Sequence, residues 1–328
     1  MEKMALALSK SLNLMVSGYS FLKSMITRKA AIAGMPVTLS VELTNHCNLK
    51  CPECFCGSGK MTREKGFMDI ALFGRIADEL RPFLLEMSLY FQGESMLHPR
   101  FGSFLEKAGG IQTTLATNGH FLSPANAEMI ALSGLNKLIV SLDGLDHDSY
   151  SQYRLNGDFR TVTEGIGNMS EAVRKHGSSC KLIIQFLVNR ENEHQIPDMK
   201  RFARKMKASL KLKSMQVINT DSHEKWLPSD KKFRRYELKG NEYTILSNLP
   251  DSCKRLWFNP VISWDGKVLP CCFDKDADHI LGDLNDSTFR EIWTGRPYRL
   301  FRQKILNGRK MTAICCNCSS GLFPGIIS

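Results

Sequence analysis

The cysteines of this 328-residue chain fall into two tight groups, and this grouping limits its fold more than any other feature. Of eleven cysteines, four lie between residues 47 and 56, six lie between residues 253 and 318, and Cys180 stands alone. Adjacent pairs such as Cys271 and Cys272 are poor disulfide partners, because bridge geometry disfavours neighbouring residues. The pattern favours metal or cluster ligation in a reducing compartment, so we expect a cytoplasmic protein.

The composition is that of a globular protein, with 43% hydrophobic and 23% charged residues. The net charge of +11 would suit nucleic acid, an anionic membrane or an acidic protein. Zinc-finger spacing, a basic helix with heptads and an aromatic-rich RNA-binding strand are all missing from the sequence, so no nucleic-acid partner is expected. No apolar run is long enough to span a bilayer, and no transmembrane segment is expected.

Apolar residues recur at helical spacing near the amino terminus, at Leu8, Leu12, Met15, Tyr19 and Leu22. This periodicity predicts an amphipathic helix within a separate N-terminal segment, residues 1–34. We expect its apolar face to pack against the main domain. Contact with a membrane surface is the alternative.

Residues 35–220 show β-rich apolar runs that alternate with helical patterns. Such alternation predicts βα units around a parallel sheet, in which functional groups lie at the carboxyl ends of the strands. The six predicted strands are 37–43, 87–91, 113–117, 138–142, 182–188 and 215–218.

The pattern changes after residue 220. Residues 221–250 are polar and basic and are expected to form a linker, followed by a cysteine-bearing domain at 251–328. There, Asp265 and Gly266 predict a two-residue hairpin turn. Thr288 and Glu291 have the spacing of a capping box at the start of a short helix.

The first cysteine group follows the first predicted strand directly. Cys47, Cys51 and Cys54 are separated by three and two residues. Three thiolates on one loop suggest an iron–sulfur cluster with one open iron, since a structural zinc site normally has four ligands. Cys56 is a possible fourth ligand and leaves the zinc alternative open.

This spacing resembles that of the radical SAM superfamily, although the residue before the third cysteine, Glu53, is often aromatic in that family. The resemblance implies a 4Fe–4S cluster on Cys47, Cys51 and Cys54 whose open iron binds S-adenosylmethionine. Reductive cleavage would then release a 5′-deoxyadenosyl radical that abstracts hydrogen from a substrate. It also implies an α/β fold, a partial (β/α)6 TIM-like barrel.

Further motifs at the predicted strand ends resemble cofactor-binding motifs of the same superfamily. The implied contacts with S-adenosylmethionine are Gly93, Glu94, Asn118, Ser141, Asp143 and Arg154. In the superfamily these motifs bind the methionine ammonium, the adenosyl group, the ribose and the methionine carboxylate. Asp143 could instead belong to a simple turn, and Arg154 could be a solvated surface arginine.

The second cysteine group resembles the SPASM/twitch extension of radical SAM enzymes. Twelve residues separate Cys253 from Gly266, four separate Gly266 from Cys271, and two separate Cys315 from Cys318. The resemblance implies a small C-terminal iron–sulfur domain with one auxiliary 4Fe–4S cluster on Cys253, Cys271, Cys315 and Cys318. Zinc is the competing metal. Cys272 and Cys316 are left over; either could replace a ligand or be a buried thiol.

The resemblance implies an oxidoreductase or epimerase that acts on a small sugar-like or cyclitol-like substrate. A peptide-recognition module of roughly 80 residues would not fit into the chain, which favours a small molecule. A peptide or protein maturase, of the ribosomal-peptide or sulfatase type, is the alternative. Cys56, Cys180 and Gln185 are the candidate catalytic residues, the two thiols as hydrogen donors.

Two other classes stay open. One is a non-catalytic iron–sulfur or zinc scaffold that binds an acidic partner, and the other is an RNA-modifying radical enzyme. For the enzyme we expect an acidic electron donor of the flavodoxin or ferredoxin type, because the chain carries a net charge of +11.

Overall fold

The computed structural model describes residues 2–218 and 220–318. Its helices are α1 Glu2–Thr27, α2 Ile70–Leu80, α3 Phe101–Lys107, α4 Pro124–Leu132, α5 His147–Tyr153, α6 Phe159–Lys175, α7 Ile196–Lys205, α8 His223–Trp226, α9 Arg255–Phe258, α10 Phe289–Thr294, α11 Arg296–Gly308 and α12 Ala313–Cys316. Its strands are β1 Thr38–Val41, β2 Glu86–Ser88, β3 Gln112–Thr117, β4 Lys137–Ser141, β5 Lys181–Val188, β6 Ser209–Ser214, β7 Tyr236–Lys239, β8 Glu242–Ile245, β9 Val261–Ile262, β10 Lys267–Leu269 and β11 Gly282–Asp283.

One large sheet organises the fold. Its strand order is β11-β10-β9-β1-β2-β3-β4-β5-β6, and the neighbours from β1 to β6 all pair in parallel. Helices connect these strands, as βα units require. The predicted α/β class with six parallel strands is confirmed.

The C-terminal hairpin extends this sheet. β9 and β10 pair antiparallel around the predicted turn, where Gly266 has a φ of 86°. β9 also pairs in parallel with β1, so the cysteine-bearing C-terminal region adds strands beside the first strand of the sheet. The predicted capping box of Thr288 and Glu291 is present at the start of α10.

The prediction for the sixth strand was wrong. The strand lies at Ser209–Ser214, before the apolar run 215–218. β6 occupies the end of the sheet and alternates polar with apolar residues, which gives a weak hydrophobic signal. Met215 and Val217 are buried instead in a small core shared with Leu49 and Cys51 of the first cysteine loop.

The orientation of α1 also differs from the expectation. The helix ends at Thr27, and its apolar residues Leu8, Leu12 and Tyr19 are exposed. Its polar face packs inward: Ser17 donates to the carbonyl of Met35, and other serines on this face bond the backbone of residues 31–33. These contacts satisfy backbone groups that lie outside any described strand, which explains why the polar face is buried.

Residues 221–250, expected to be a linker, contain α8 and the two-stranded hairpin of β7 and β8. Trp226, Leu227 and Tyr236 from this stretch are buried in the same small core as Cys51. Across the described ranges, no helix combines the length and the apolar character needed to cross a membrane.

Candidate active site

A cavity of about 500 Å³ opens at the carboxyl ends of the parallel strands. This is where a parallel βα architecture collects functional groups. The cavity gathers the three thiols of the first cysteine loop and six of the other expected site residues: Cys47, Cys51, Cys54, Gly93, Glu94, Asn118, Ser141, Arg154 and Gln185.

The first cysteine loop contains a turn of its own and is anchored to another segment through Glu53. The Cys54 amide donates to the Cys51 carbonyl at 3.2 Å, and the Glu53 carboxylate accepts from the Ile218 amide at 2.7 Å. Glu53, where the family often has an aromatic residue, therefore ties the loop to the chain after β6. No set of three His, Cys, Asp or Glu side chains within 2–218 and 220–318 already has metal-binding geometry. The fit to a cluster rests on three soft donors that face one cavity.

Close backbone contacts leave no room for a side chain at position 93, which is a glycine. Its φ is 75°, and a Cβ at this position would lie 2.6 Å from the Thr44 carbonyl oxygen and 2.7 Å from the His46 carbonyl oxygen. Any side chain would therefore force the loops after β1 and β2 apart. The adjacent Glu94 amide donates to the same His46 oxygen at 2.8 Å.

The Glu94 carboxylate joins the loops after β2 and β3. It accepts hydrogen bonds from the Thr117 hydroxyl at 2.9 Å and from the Asn118 amide at 2.7 Å. Burial raises the pKa of Glu94, and these hydrogen bonds oppose that shift. The Asn118 side-chain amide in turn donates to Asn48 in the cysteine loop at 2.7 Å.

Arg154 connects the end of β4 to the cysteine loop. Its Nε donates to Asp143 at 2.6 Å, and its Nη1 lies 3.7 Å from the Cys51 sulfur. The guanidinium is therefore not a solvated surface group. Asp143 is fully buried and does not line the cavity; its second oxygen accepts from the Leu187 amide at 2.7 Å. Asp143 thus positions Arg154, whereas Ser141 and its sheet partner Gln185 face the cavity.

Neither of the two candidate hydrogen donors lines the cavity. Cys56 is buried and donates to the Asn45 carbonyl at 3.1 Å. Cys180 lies just before β5, at the opposite end of the strands from the cavity, and burial raises its pKa to about 11. The structure brings Gln185 into the cavity and leaves both thiols outside it.

A second, small cavity is lined by the four cysteines that were expected to hold the auxiliary cluster: Cys253, Cys271, Cys315 and Cys318. Cys272 lines the first cavity instead, and Cys316 is exposed. The buried Arg309 also lines this cavity and donates to the Cys318 sulfur at 3.1 Å. Four soft donors beside a cation suit a closed cluster, and no disulfide joins cysteines in the described part of the chain.

Sequence reasoning missed the cationic part of the first cavity. Lys211 and Lys213 on β6, Arg235, Arg255 and Lys275 all line it. The polar alternation of β6 was the available signal, because residues two apart on a strand face the same side. Arg255, together with Phe273, also lines the second cavity and so lies between the two.

Comparisons with known proteins agree with this geometry. The model of the radical SAM superfamily matches residues 41–203, and that of the SPASM iron–sulfur cluster-binding domain matches residues 253–319. The chain is 25% identical over 319 residues to the tungsten-containing aldehyde ferredoxin oxidoreductase cofactor-modifying protein of Pyrococcus furiosus, with 86% of each chain covered. It is 25% identical over 306 residues to the mycofactocin maturase MftC of Mycobacterium ulcerans, with 86% of this chain and 80% of that protein covered.

A solved structure shares the fold. SuiB of Streptococcus suis, bound to the precursor peptide SuiA, matches with a TM-score of 0.63 at 14% identity, covering 92% of this chain and 74% of that one. The chain belongs to the radical SAM superfamily and carries a C-terminal SPASM domain, which makes it an enzyme whose cofactors are S-adenosylmethionine and 4Fe–4S clusters.

Proposed function

We propose that this enzyme is a maturase that abstracts a hydrogen atom from a peptide or protein substrate. The observation that carries the proposal is the first cavity, where three thiols, the Gly93 turn, Arg154 and Gln185 face one space. When bound there, the cluster and S-adenosylmethionine would supply one-electron reduction and hydrogen abstraction.

The residues that line the first cavity would have separate roles. Cys47, Cys51 and Cys54 would hold the cluster through their thiolates. Glu94 fixes the loops around the cofactor, and Arg154, held by Asp143, presents a cation beside the cluster position. Other polar side chains that face the cavity, among them Ser141 and Gln185, would contact the cofactor or the substrate.

Similarity to peptide-modifying proteins supports the peptide substrate. MftC is a maturase by name, and the fold is shared with a protein solved in complex with its precursor peptide. Both similarities extend over most of this chain. They support a peptide here more strongly than the sugar-like substrate that chain length favoured.

A small metabolite is the second candidate. The volume of about 500 Å³ is in the range of small-ligand pockets. The Pyrococcus relative is named for modifying a cofactor rather than a peptide. In this case Cys253, Cys271, Cys315 and Cys318 would hold an auxiliary cluster that would supply one-electron oxidation of the substrate radical.

We also propose an acidic flavodoxin or ferredoxin as the electron donor, in a reducing cytoplasm. The net charge of +11 supports docking of an acidic protein, and such docking would weaken as salt screens the charges.

The test is anaerobic reconstitution with S-adenosylmethionine and dithionite, followed by assay of 5′-deoxyadenosine. Deuterated candidate peptides and deuterated sugars are then supplied separately. Deuterium in 5′-deoxyadenosine from a peptide is the expected result. Transfer only from a sugar would favour the second candidate, and a protein that forms no 5′-deoxyadenosine would contradict both.

Two adjacent cysteines provide a matched test of the auxiliary cluster. Cys271 faces the second cavity and Cys272 faces the first. Cys271→Ala is expected to lower the iron content, by at most about half, because the auxiliary cluster keeps only three of its four thiolates and exposes one iron. Cys272→Ala is expected to keep the full iron content. Iron analysis and electron paramagnetic resonance of the reduced protein measure the cluster content of the two variants. A lower iron content in Cys272→Ala than in Cys271→Ala would assign Cys272 as the ligand.

A further inference from the structure

One wall of the first cavity carries an unusual concentration of positive charge. We call Lys211, Lys213, Arg235 and Lys275 the cationic wall. Lys211 and Lys213 come from the same face of β6, Arg235 directly precedes β7, and Lys275 follows β10. The chain therefore brings four cations to one space from three separate regions.

Within the described residues these cations form no ion pair with a carboxylate at contact distance. None of the four forms a salt bridge with any described residue, and the hydrogen bonds of two of them go to neutral oxygens. Arg235 donates to the Ser214 carbonyl at 3.0 Å, and Lys275 donates to the Gln216 amide oxygen at 2.9 Å. Glu53 also lines the cavity, but its carboxylate accepts from the Ile218 amide and the Ser222 hydroxyl. Glu53 offsets part of the positive charge at Lys275, and no carboxylate among the described residues forms a salt bridge with the other three cations.

The pKa of Lys213 reflects how unfavourable it is to place these cations close together. Burial, together with the neighbouring charges of Arg235 and Lys211, lowers its pKa to about 8. Holding several desolvated cations together is unfavourable unless a negative group joins them. Such perturbed groups in a cavity are frequent at binding sites.

Protection of a sheet edge does not explain the wall. β6 is the last strand of the sheet, and lysines on such strands often prevent pairing with other chains. Protective lysines point into solvent. Lys211 is itself exposed and can serve this role, whereas Lys213 is half-buried and lines the cavity beside an Arg235 that is only 3% exposed.

We infer that the cationic wall binds an anionic group of the substrate, a carboxylate or a phosphate. The inference rests on the proposed function, because it assigns the substrate to the same cavity. In a peptide the group would be an acidic side chain or the terminal carboxylate, and in a metabolite it would be a carboxylate or a phosphate. Charge-assisted hydrogen bonds to such a group would fix which carbon faces the cofactor.

The test uses reconstituted enzyme with S-adenosylmethionine and measures binding of two probes by calorimetry at constant ionic strength. Succinate represents carboxylates and inorganic pyrophosphate represents phosphates. The double variant Lys213→Gln/Lys275→Gln is expected to bind the preferred probe at least about tenfold more weakly. Lys205→Gln, which removes an exposed charge at the end of α7, is the control and should bind as the wild type does.

The outcomes separate this inference from the proposed function. Tighter binding of succinate favours a carboxylate substrate, and tighter binding of pyrophosphate favours a phosphorylated one. The inference is overturned if the double variant binds both probes as the wild type does, or if it loses iron, which would mean that the cations serve the cluster. Formation of 5′-deoxyadenosine without substrate, measured on the wild type, tests the proposed function alone.

A different observation concerns the outer face of α1. Leu8, Leu12, Met15, Tyr19 and Leu22 form a continuous stripe, and each is more than half exposed. The opposite face, which carries Asn13, Ser17 and Ser24 together with Phe21, is the one that packs against the protein. From Leu8 to Leu22 the stripe runs about 21 Å along the helix, and an exposed contiguous apolar surface of this kind marks an interaction site.

The charges around the stripe indicate what covers it. Lys23 lies at the edge of the stripe and Lys29 follows the helix, both exposed, whereas Arg28 pairs with Asp251 at 3.7 Å. Glu2 is the single acidic residue of α1. An apolar stripe flanked by cations is typical of helices that lie in the interface of an anionic bilayer. A symmetric dimer formed through this stripe would instead bring together two chains that each carry a net charge of +11, and like-charge repulsion opposes that.

We propose that α1 docks the enzyme on an anionic lipid surface, with the stripe inserted between the headgroups. Cosedimentation with vesicles of phosphatidylcholine, with or without phosphatidylglycerol, tests this directly. The full-length enzyme is expected to bind the anionic vesicles, and Leu12→Glu/Tyr19→Glu should reduce binding at least about tenfold. Leu132→Glu, at an exposed leucine on α4, is the matched control.

Three results would overturn lipid docking. The first is an enzyme that does not sediment with either vesicle. The second is binding that the α1 variant leaves unchanged. The third is a dimer, detected by light scattering, that the same variant dissociates, because the occupant of the stripe would then be a second copy.

Discussion

Cys51→Ala is expected to reduce 5′-deoxyadenosine formation to the background seen without reductant. Cys51 is the central thiol of the loop, is 4% exposed and lies 3.7 Å from the Nη1 atom of Arg154. Without it, two thiolates are left to hold a cluster that needs three protein ligands and one open iron. The variant should retain only the iron of the auxiliary cluster.

Two cysteines outside both cavities provide the controls for this prediction. Cys316→Ala removes an exposed thiol, and Cys180→Ala removes a buried one near the amino end of β5. Both variants should keep the iron content and form 5′-deoxyadenosine at rates close to that of the wild type. A Cys51→Ala protein that still forms this product, or a Cys180→Ala protein that loses it, would contradict the assigned cluster site.

The positions of the site residues could be predicted because each motif directly follows a strand. Gly93 and Asn118 follow β2 and β3, and Ser141 ends β4, so the parallel sheet brings them to one edge. Their spacing along the chain carries no information about distance in space. The periodicity of the strands predicts this distance, because neighbouring parallel strands place their carboxyl ends at the same edge of the sheet.

The direction of individual side chains could not be predicted. Asp143 is two residues beyond Ser141, but its carboxylate turns away from the cavity to bond Arg154 and the Leu187 amide. Cys56 is two residues beyond Cys54, but its sulfur bonds the Asn45 carbonyl and contacts the Cys47 thiol without lining the cavity. In both cases a partner distant in sequence decides the orientation, and local patterns do not report such partners.

The packing of α1 with its polar face toward the protein could not be predicted either. Hydrophobic periodicity assigns the apolar face to the core when burial of apolar area dominates. In this helix, Asn13, Ser17 and Ser24 form hydrogen bonds with the backbone of residues 31–35, which lacks strand partners. Satisfying these buried backbone groups outweighs burial of the leucines.

A buried ion pair connects the two cluster regions. Glu42, fully buried at the end of β1, accepts two hydrogen bonds from Arg63 at 2.5 and 2.6 Å. The same carboxylate accepts from the Gln92 amide, next to Gly93, and from the Trp264 amide in the C-terminal hairpin. One side chain thus joins the cysteine loop region, the loop after β2 and the SPASM domain. Burial raises the pKa of Glu42, and Arg63 opposes this shift.

Arg63→Met is therefore expected to destabilise the fold by about 3–5 kcal/mol, because it leaves a buried carboxylate without its counter-ion. Anaerobic urea unfolding of the reconstituted enzyme, followed by circular dichroism, measures the loss. Arg160→Met is the matched control, since its pair with Glu164 is exposed on both sides and should contribute at most about 1 kcal/mol. Equal unfolding midpoints for the two variants would contradict the role assigned to the buried pair.

The double variant Glu42→Leu/Arg63→Met separates charge from packing. If the damage in Arg63→Met comes from an unpaired buried charge, removing that charge as well should recover part of the stability, so the two changes should not be additive. The Gln92 and Trp264 amides would still lose their acceptor, and the recovery should therefore be incomplete. A double variant less stable than Arg63→Met would instead show that Glu42 acts mainly by holding these two amides, and through them the loop after β2 and the C-terminal hairpin.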